Sequence, residues 1–289
     1  MTMKTSITAE QKKQYRRLIE DAGDKALKEV NLDKDGLQKL IENGGEFQAR
    51  IIAGIRELSV NNQYADEEVE SSYGYLSGYQ PKDITEQTNR LRELFPSIGY
   101  ANEELAKQSL PSNAEGWFAI PRWEKIAPTY NEAVQKVLDL IKKTRNGKFY
   151  NYREGNLGPQ YLRQSAKTEK IFQVLGDEQK DHDILVVPTQ FGLNHRGKSV
   201  RRAREIMNAS EFGLGAFAIG IMILTHPERL QHYDDLWIDC AGDEYSPRAD
   251  GDFSSAPCFG FRGGGVKFVT YSVGVVSDGY GSVSGFLSQ

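Results

Sequence analysis

Residues 258–270 read Cys258-Phe259-Gly260-Phe261-Arg262-Gly263-Gly264-Gly265-Val266-Lys267-Phe268-Val269-Thr270, and a closing run follows at Tyr280-Gly281-Ser282-Val283-Ser284-Gly285-Phe286. Phe259 and Phe261 step by two, as do Val266 and Phe268, and a step of two along a strand sends side chains to one face. Together with Thr270 and the closing run they form an inward frame. The positions between them are Gly260, Arg262, Val269 and Tyr271, followed by the irregular stretch Ser272 to Gly279. Those residues share no chemistry with one another. A β-scaffold that holds its inward side chains and leaves the outward ones arbitrary suits a recognition surface better than a catalytic site. Phe259, Phe261 and Phe268 are therefore expected in the core. Gly260, Arg262, Gly263, Val269, Tyr271, Ser272, Val273, Gly274, Val275, Ser277, Asp278 and Gly279 are expected on one continuous, ligand-binding outer surface. Tyr and Arg are the usual anchors of such surfaces.

Working outward from that stretch, turn residues and alternating aromatics from Leu236 onward predict strands joined by long loops. Phe212 to Thr225 is apolar nearly all round and reads as a central helix. Ile184 to Val187, bounded by Asp183 and Pro188, reads as a compact buried strand, and Trp117 to Pro121 as another. Helices are predicted over Thr129–Lys143, Tyr161–Leu175 and Ser199–Met207. Before the Pro111-Ser112-Asn113-Ala114 stretch the texture is different. Thr8 to Val30 carries Tyr15, Leu18, Ala22, Ala26 and Val30 near helical spacing, and Asp33 opens a second helix that stops at Gly44-Gly45. Glu46 to Leu58 predicts a third, with Ile51, Ile52 and Ile55 inward. Val60 to Lys82 reads as a long surface connection, Ile84 to Leu94 as a helix, and Asn102 to Gln108 as a turn or two more. The reading is an α+β chain with a helical N-terminal domain over 1–112 and a ligand-binding domain over 113–289.

Composition excludes some classes of function. With 289 residues and 39% hydrophobic content the chain can bury real cores. A net charge of −4 argues against bulk attraction to nucleic acid or an anionic membrane. The longest apolar run, Leu214 to Leu224, is too short to span a bilayer. Met1 to Arg17 is polar with no apolar h-region, which predicts a cytoplasmic protein and leaves a cell-surface or phage-particle location open.

Three features compete for chemical roles. Asp239, Asp243, Glu244, Asp250 and Asp252 lie on a loop-rich stretch and could hold calcium, but their spacing is not that of an EF-hand, and turn-making hydrogen bonds are the preferred reading. The basic run His195 to Arg204 leads into the helix 199–207. It lacks the Walker spacing of a phosphate loop and is read as a solvated or ion-paired face. The four histidines and two cysteines form no zinc pattern. His195 and Cys240 could pair as base and nucleophile, yet neither has a local signature. No catalytic residue, metal or cofactor is expected. The alternative is an enzyme or nucleic-acid-processing factor that uses the basic helix 199–207 and the acidic loops 239–252.

Several landmarks carry a family resemblance. They are Ile184-Leu-Val-Val-Pro188, Glu211-Phe-Gly-Leu-Gly215, Trp237-Ile-Asp-Cys-Ala-Gly-Asp-Glu-Tyr245, Asp250-Gly-Asp-Phe253 and the ending Gly281-Ser-Val-Ser-Gly-Phe286. Over roughly Gly116 to the end, the chain resembles a variable protein of a diversity-generating retroelement. The resemblance implies a C-type-lectin-type (formylglycine-generating-enzyme-like) fold with a variable region at about 258–279. It also implies a reverse transcriptase and template RNA encoded nearby, acting on the gene and not on the protein. Errors at adenines turn Asn codons into codons for a limited set of residues, and between Cys258 and Gly279 only Lys267 lies outside that set. The ligand implied is an unknown protein or glycan, bound without calcium; the oligomeric state is left open, although proteins of this type often present several sites together in a homo-oligomer for avidity. Formylglycine-generating enzymes share the fold, but their closely spaced C-terminal cysteine pair is absent here.

Overall fold

The computed structural model describes residues 8–30, 33–58 and 63–287. The chain falls into two compact units, Met1–Ser59 and Val60–Gln289. The first holds three helices: α1 (Ala9–Glu29), α2 (Lys34–Glu42) and α3 (Gly44–Leu58). Thr8 opens α1 with a capping box, its hydroxyl accepting from the Gln11 N–H while Gln11 accepts from the Thr8 N–H. Asp33 caps α2 by accepting from the Gly36 N–H at 2.7 Å. Asn43 makes the break between α2 and α3, and Gly44-Gly45, expected as a stop, stands in the first turn of α3. None of the described side chains of this unit is buried. Ile51 and Ile55, expected inward, are half-buried, and Ile52, expected inward with them, is exposed.

In chain order the second unit contains α4 (Ile84–Leu94), β1 (Gly116–Pro121), α5 (Tyr130–Thr144), β2 (Phe149–Asn151), β3 (Leu162–Gln164) and α6 (Ala166–Glu178). Next come β4 (Ile184–Gln190), α7 (Val200–Ile206), β5 (Glu211–Gly213) and α8 (Ala216–Thr225). The remainder is β: β6 (Trp237–Asp239), β7 (Asp243–Tyr245), β8 (Ser255–Arg262), β9 (Gly265–Ser272), β10 (Tyr280–Ser282) and β11 (Ser284–Phe286). Two expected helices begin later than the apolar pattern suggested. Residues 162–164 pair with β7 before Ser165 caps α6, and residues 211–213 pair with β11 before α8 starts. In both cases a sheet partner distant in sequence claims the residues. Asn102–Gln108 forms a 3-10 turn over Glu103–Lys107.

The strands make two sheets. The smaller has the order β1-β4-β11-β5, and the larger has the order β10-β6-β8-β7-β3, with β9 on the other side of β8 and β2 beyond β9. Every residue of α8 is buried. It lies so close to α5 that a Cβ on Gly220 would sit 2.4 Å from the Val137 side chain, so glycine is needed for the approach. Residues 63–112 belong to this unit, and the division comes at Ser59/Val60, not at the Pro111–Ala114 stretch. The physical reason is packing. The Gln87 amide of α4 donates to the Trp117 carbonyl of β1 at 2.8 Å and accepts from the Ala119 N–H at 3.0 Å. Tyr79 is only 3% exposed in the shared core. The supposed surface connection is thus a strap with a buried tyrosine; its first residues, Val60 to Asn62, lie outside the described set, as do Met1 to Ile7 and the terminal Ser288 and Gln289. No helix among the described residues is long and apolar enough to cross a membrane.

At the centre of the larger sheet, β8 and β9 form a hairpin in which Phe259 faces Phe268 and Phe261 faces Val266. The Phe259 and Phe268 rings lie 4.9 Å apart and both are fully buried. Phe261 shares their face but is only half-buried, because it stands one residue from the turn. Phe259→Ala and Phe268→Ala should each cost about 3–5 kcal/mol in urea unfolding, as fully buried aromatic truncations do, and Phe261→Ala clearly less. Equal losses at all three positions would contradict this packing.

Candidate recognition surface

The chain leaves β9 at Ser272 and re-enters a strand at Tyr280. What restrains the loop between them is mostly backbone. The Val273 N–H donates to the Ser254 carbonyl and the Val273 carbonyl accepts from the Arg201 N–H, both at 3.0 Å. The Asp278 carbonyl accepts from the Ser71 hydroxyl, and the Gly279 carbonyl accepts from the Trp237 N–H at 2.9 Å. A loop held by its main chain leaves its side chains available for contact.

Beside the loop lies a groove of about 160 Å³. Arg262, Ser277, Asp278 and Gly279 line it on one side, and Tyr73, Tyr233, Asp234, Trp237, Phe261 and Tyr280 complete it. Trp237 and Tyr280 pack at 5.2 Å, Tyr271 meets Tyr280 edge-on at 5.8 Å, and the Arg262 guanidinium lies 5.9 Å from the Tyr233 ring centre. Tyr271, Ser272, Val275 and Asp278 are exposed, and Val269 and Ser277 half-exposed. The structure thus brings Arg262, Tyr271, Ser277, Asp278 and Gly279 to one place.

Val269, Ser272 and Val275 do not line the groove, and the remaining expected positions are constrained. Gly260 is buried, and a Cβ there would lie 2.0 Å from the Trp237 indole. It is part of the packing and not an outward, freely chosen residue. Gly263 and Gly264 have φ of 60° and 75° in a two-residue hairpin turn, a backbone that glycine adopts without strain. Gly279 is buried at the groove floor. Val273 packs against the buried cluster of Val200, Ala203, Met207, Ala241 and Ala256, and a Cβ on Gly274 would lie 2.9 Å from the Arg201 guanidinium of α7. Tyr73, Tyr233 and Asp234 escaped the sequence reading because nothing in local spacing ties residue 73 to residue 278. The signal that existed was the Tyr-rich composition of the strap.

The features of the alternative reading are engaged in structure. Arg201 pairs with Glu67, and Arg202 with Glu68 and Glu205. Arg204 donates to the carbonyls of Ala241 and Asp243. Among the acidic residues, Asp250 accepts from the Asp252 N–H at 3.1 Å in an Asx turn, Asp252 accepts from the Ser254 hydroxyl, and Glu244 pairs with Arg163. Asp243 accepts from the Tyr130 hydroxyl and the Ala216 N–H, both at 2.7 Å. Burial nonetheless pushes its carboxyl, and that of Asp239, up to about 7. Among the described residues no group of His, Cys, Asp or Glu is arranged to hold a metal ion. Cys240 and Cys258 are free and buried, and burial pushes both thiols well above their ordinary range, where the nucleophilic thiolate is scarce. His195 is buried and its Nε2 lies 2.6 Å from Glu211 Oε1. Compared with known proteins, the chain matches no family profile, no curated protein and no solved structure.

Two predictions follow from these positions. Gly260→Ala should destabilise by roughly 1–3 kcal/mol through overpacking against Trp237, while Val275→Asn should leave the unfolding midpoint nearly unchanged. The reverse order in a denaturant titration would contradict the placement. For Asp239, a carboxyl whose folded pKa is raised from 3.8 to about 7 stabilises fully below pH 4, and this contribution is lost as pH rises through 7. The slope is at most about 1.4 kcal/mol per pH unit. Asp239→Asn, which cannot ionise, should therefore gain stability relative to the parent between pH 5 and 8; a constant difference across that range would show that Asp239 titrates normally.

Proposed function

We propose that this chain is a recognition protein that binds its ligand with the groove at 262 and 271–279, on a C-type-lectin-type scaffold whose exposed residues are diversified at the gene. The observation that carries the reading is a coincidence of place. Five of the residues that look freely chosen in the sequence, Arg262, Tyr271, Ser277, Asp278 and Gly279, meet after folding at an aromatic groove whose loop is held by main-chain bonds. Tyr271 offers a large ring with a polar tip, and Arg262 offers a planar donor fork on a flexible stem. Trp237 and Tyr280 line the groove and the buried Phe259/Phe268 pair holds the hairpin beside it, so a change at the exposed Tyr271 or Asp278 alters what is bound without altering what is packed. On this reading the diversified positions of the variable region are the exposed or half-exposed ones, Arg262, Val269, Tyr271, Ser272, Val275, Ser277 and Asp278. Gly260 and Gly263 belong to the scaffold.

The reading makes a stability claim that most binding sites would fail. A variant combining Tyr271→Ser, Ser272→Asn, Val275→Asn and Asp278→Ser should melt within a few degrees of the parent, since exposed substitutions typically move stability by under about 0.5 kcal/mol each. Loss of the cooperative melt would sink the proposal. At the DNA level, a near-copy of the 258–279 coding stretch should stand beside a reverse-transcriptase gene, differing at adenines in the codons of those exposed residues.

A further inference from the structure

A second cavity, sharing no lining residue with the groove, lies where the end of β1 and the turn after it meet the first turns of α5 and α8 and one side of α6. Its volume is about 220 Å³. Trp123, Tyr130, Phe172 and Phe217 supply aromatic lining. Trp123 and Tyr130 pack edge-to-face at 6.2 Å, and Tyr130 and Phe217 at 6.4 Å. The Tyr130 hydroxyl is already committed to Asp243, so what Tyr130 has left to offer is its ring. Three carboxylates, Glu124, Glu169 and Asp177, also line the cavity.

Some carboxylates of this unit pair with cations, Glu67 and Glu68 at α7, Glu244 at Arg163, and Asp183 at Lys125, 2.9 Å away, and others, such as Asp250 and Asp252, accept only from neutral donors. Among the described residues Glu124, Glu169 and Asp177 make no ion pair, although Lys125 is the chain neighbour of Glu124. One cationic side chain does line the cavity. Arg122 is turned to the backbone, its Nε donating to the His182 carbonyl and its Nη2 to the carbonyls of Gln179 and Gly176, the first two at 2.8 Å. The lining therefore combines aromatic rings with an excess of unpaired negative charge. Ring faces carry a negative quadrupole that attracts cations, most strongly where water is excluded. The volume is below that of a drug-sized pocket, which sets the size of the ligand.

We propose that this cavity binds a small organic cation: a substituted ammonium with a compact apolar body, its charge facing Glu124, Glu169 and Asp177 and its body against Trp123, Tyr130 and Phe172. The site is independent of the recognition groove, and its failure would leave that reading intact.

The test is titration of the 15N-labelled full chain with benzyltrimethylammonium chloride, with benzyl alcohol and sodium benzoate as neutral and anionic probes carrying the same ring. Saturable shifts confined to residues around the cavity are expected for the ammonium, with the alcohol much weaker and benzoate silent. The double variant Glu169→Gln/Asp177→Asn, whose side chains are exposed and outside the core, should weaken the ammonium by about five-fold or more, and Phe172→Ala should do likewise. Tyr271→Ala, in the groove, should leave the titration unchanged. Absence of saturable shifts with the ammonium, equal binding of the alcohol or benzoate, or undiminished affinity in the charge variant would each overturn the proposal.

Discussion

The last strands of the chain belong to different sheets, and the rest of the second unit is arranged around that fact. Residues 280–282 run parallel to β6 in the larger sheet, and residues 284–286 lie between β4 and β5 in the smaller one. The crossing is tight: a Cβ on Gly281 would stand 2.2 Å from the Gly192 carbonyl oxygen. Buried polar groups hold it. The Gln190 amide donates to the Ser282 carbonyl at 2.8 Å and to the Ser284 hydroxyl at 2.9 Å, and that hydroxyl donates to Glu211. Burial alone would raise the Glu211 carboxyl, but the bonds from His195 and Ser284 bring it below its ordinary value. A network of this kind costs little when every partner is present and a great deal when one is missing. Here the Nε2 side of His195 is met by Glu211, while His195 Nδ1 and Ser282 Oγ are buried with no hydrogen-bond partner among the described residues.

Because the closing run is anchored in both sheets, the loop before it has a fixed landing point. Its departure point is fixed as well, by the β8/β9 hairpin register and the Phe259–Phe268 contact. Between those anchors the loop meets α7 on one side and the strap of residues 63–82 on the other. The arginines of α7 pair with Glu67 and Glu68 of the strap, and Ser71 reaches the Asp278 carbonyl. Half-exposed pairs of this sort contribute little to stability one by one, but they hold Tyr73 against the loop. The basic helix thus carries ion pairs to the strap.

Much of the architecture was legible because it rests on local rules. The period-two steps of Phe259/Phe261 and Val266/Phe268 predicted a face, and in the hairpin Phe259 stands opposite Phe268 and Phe261 opposite Val266. The caps at Asp33 and Thr129 and the all-round apolar run of α8 also stand where residue chemistry places them. The errors share one physical cause. Leu162–Gln164 and Glu211–Gly213 have apolar patterns that continue into a helix, but a distant strand pairs with each of them first. Gly260 looks like a free position in a strand, yet Trp237, on a neighbouring strand, fills the space where a side chain would go. Tyr79 sits in a polar, glycine-rich stretch that reads as surface, and the second unit folds over it.

By itself, then, the sequence determined which residues repeat as an inward frame, which segments are helical, and that the outward residues near the C-terminus follow no single chemistry. Those properties depend on neighbours a few positions away, which a linear reading can see. Only the tertiary structure decided that Tyr73, Tyr233 and Trp237 join Arg262 and Asp278 in one groove, that Gly260 and Gly263 are scaffold, and that α7 spends its charge on the strap. Those outcomes depend on contacts between segments far apart in the chain, set by sheet register and close packing, and no local spacing encodes them.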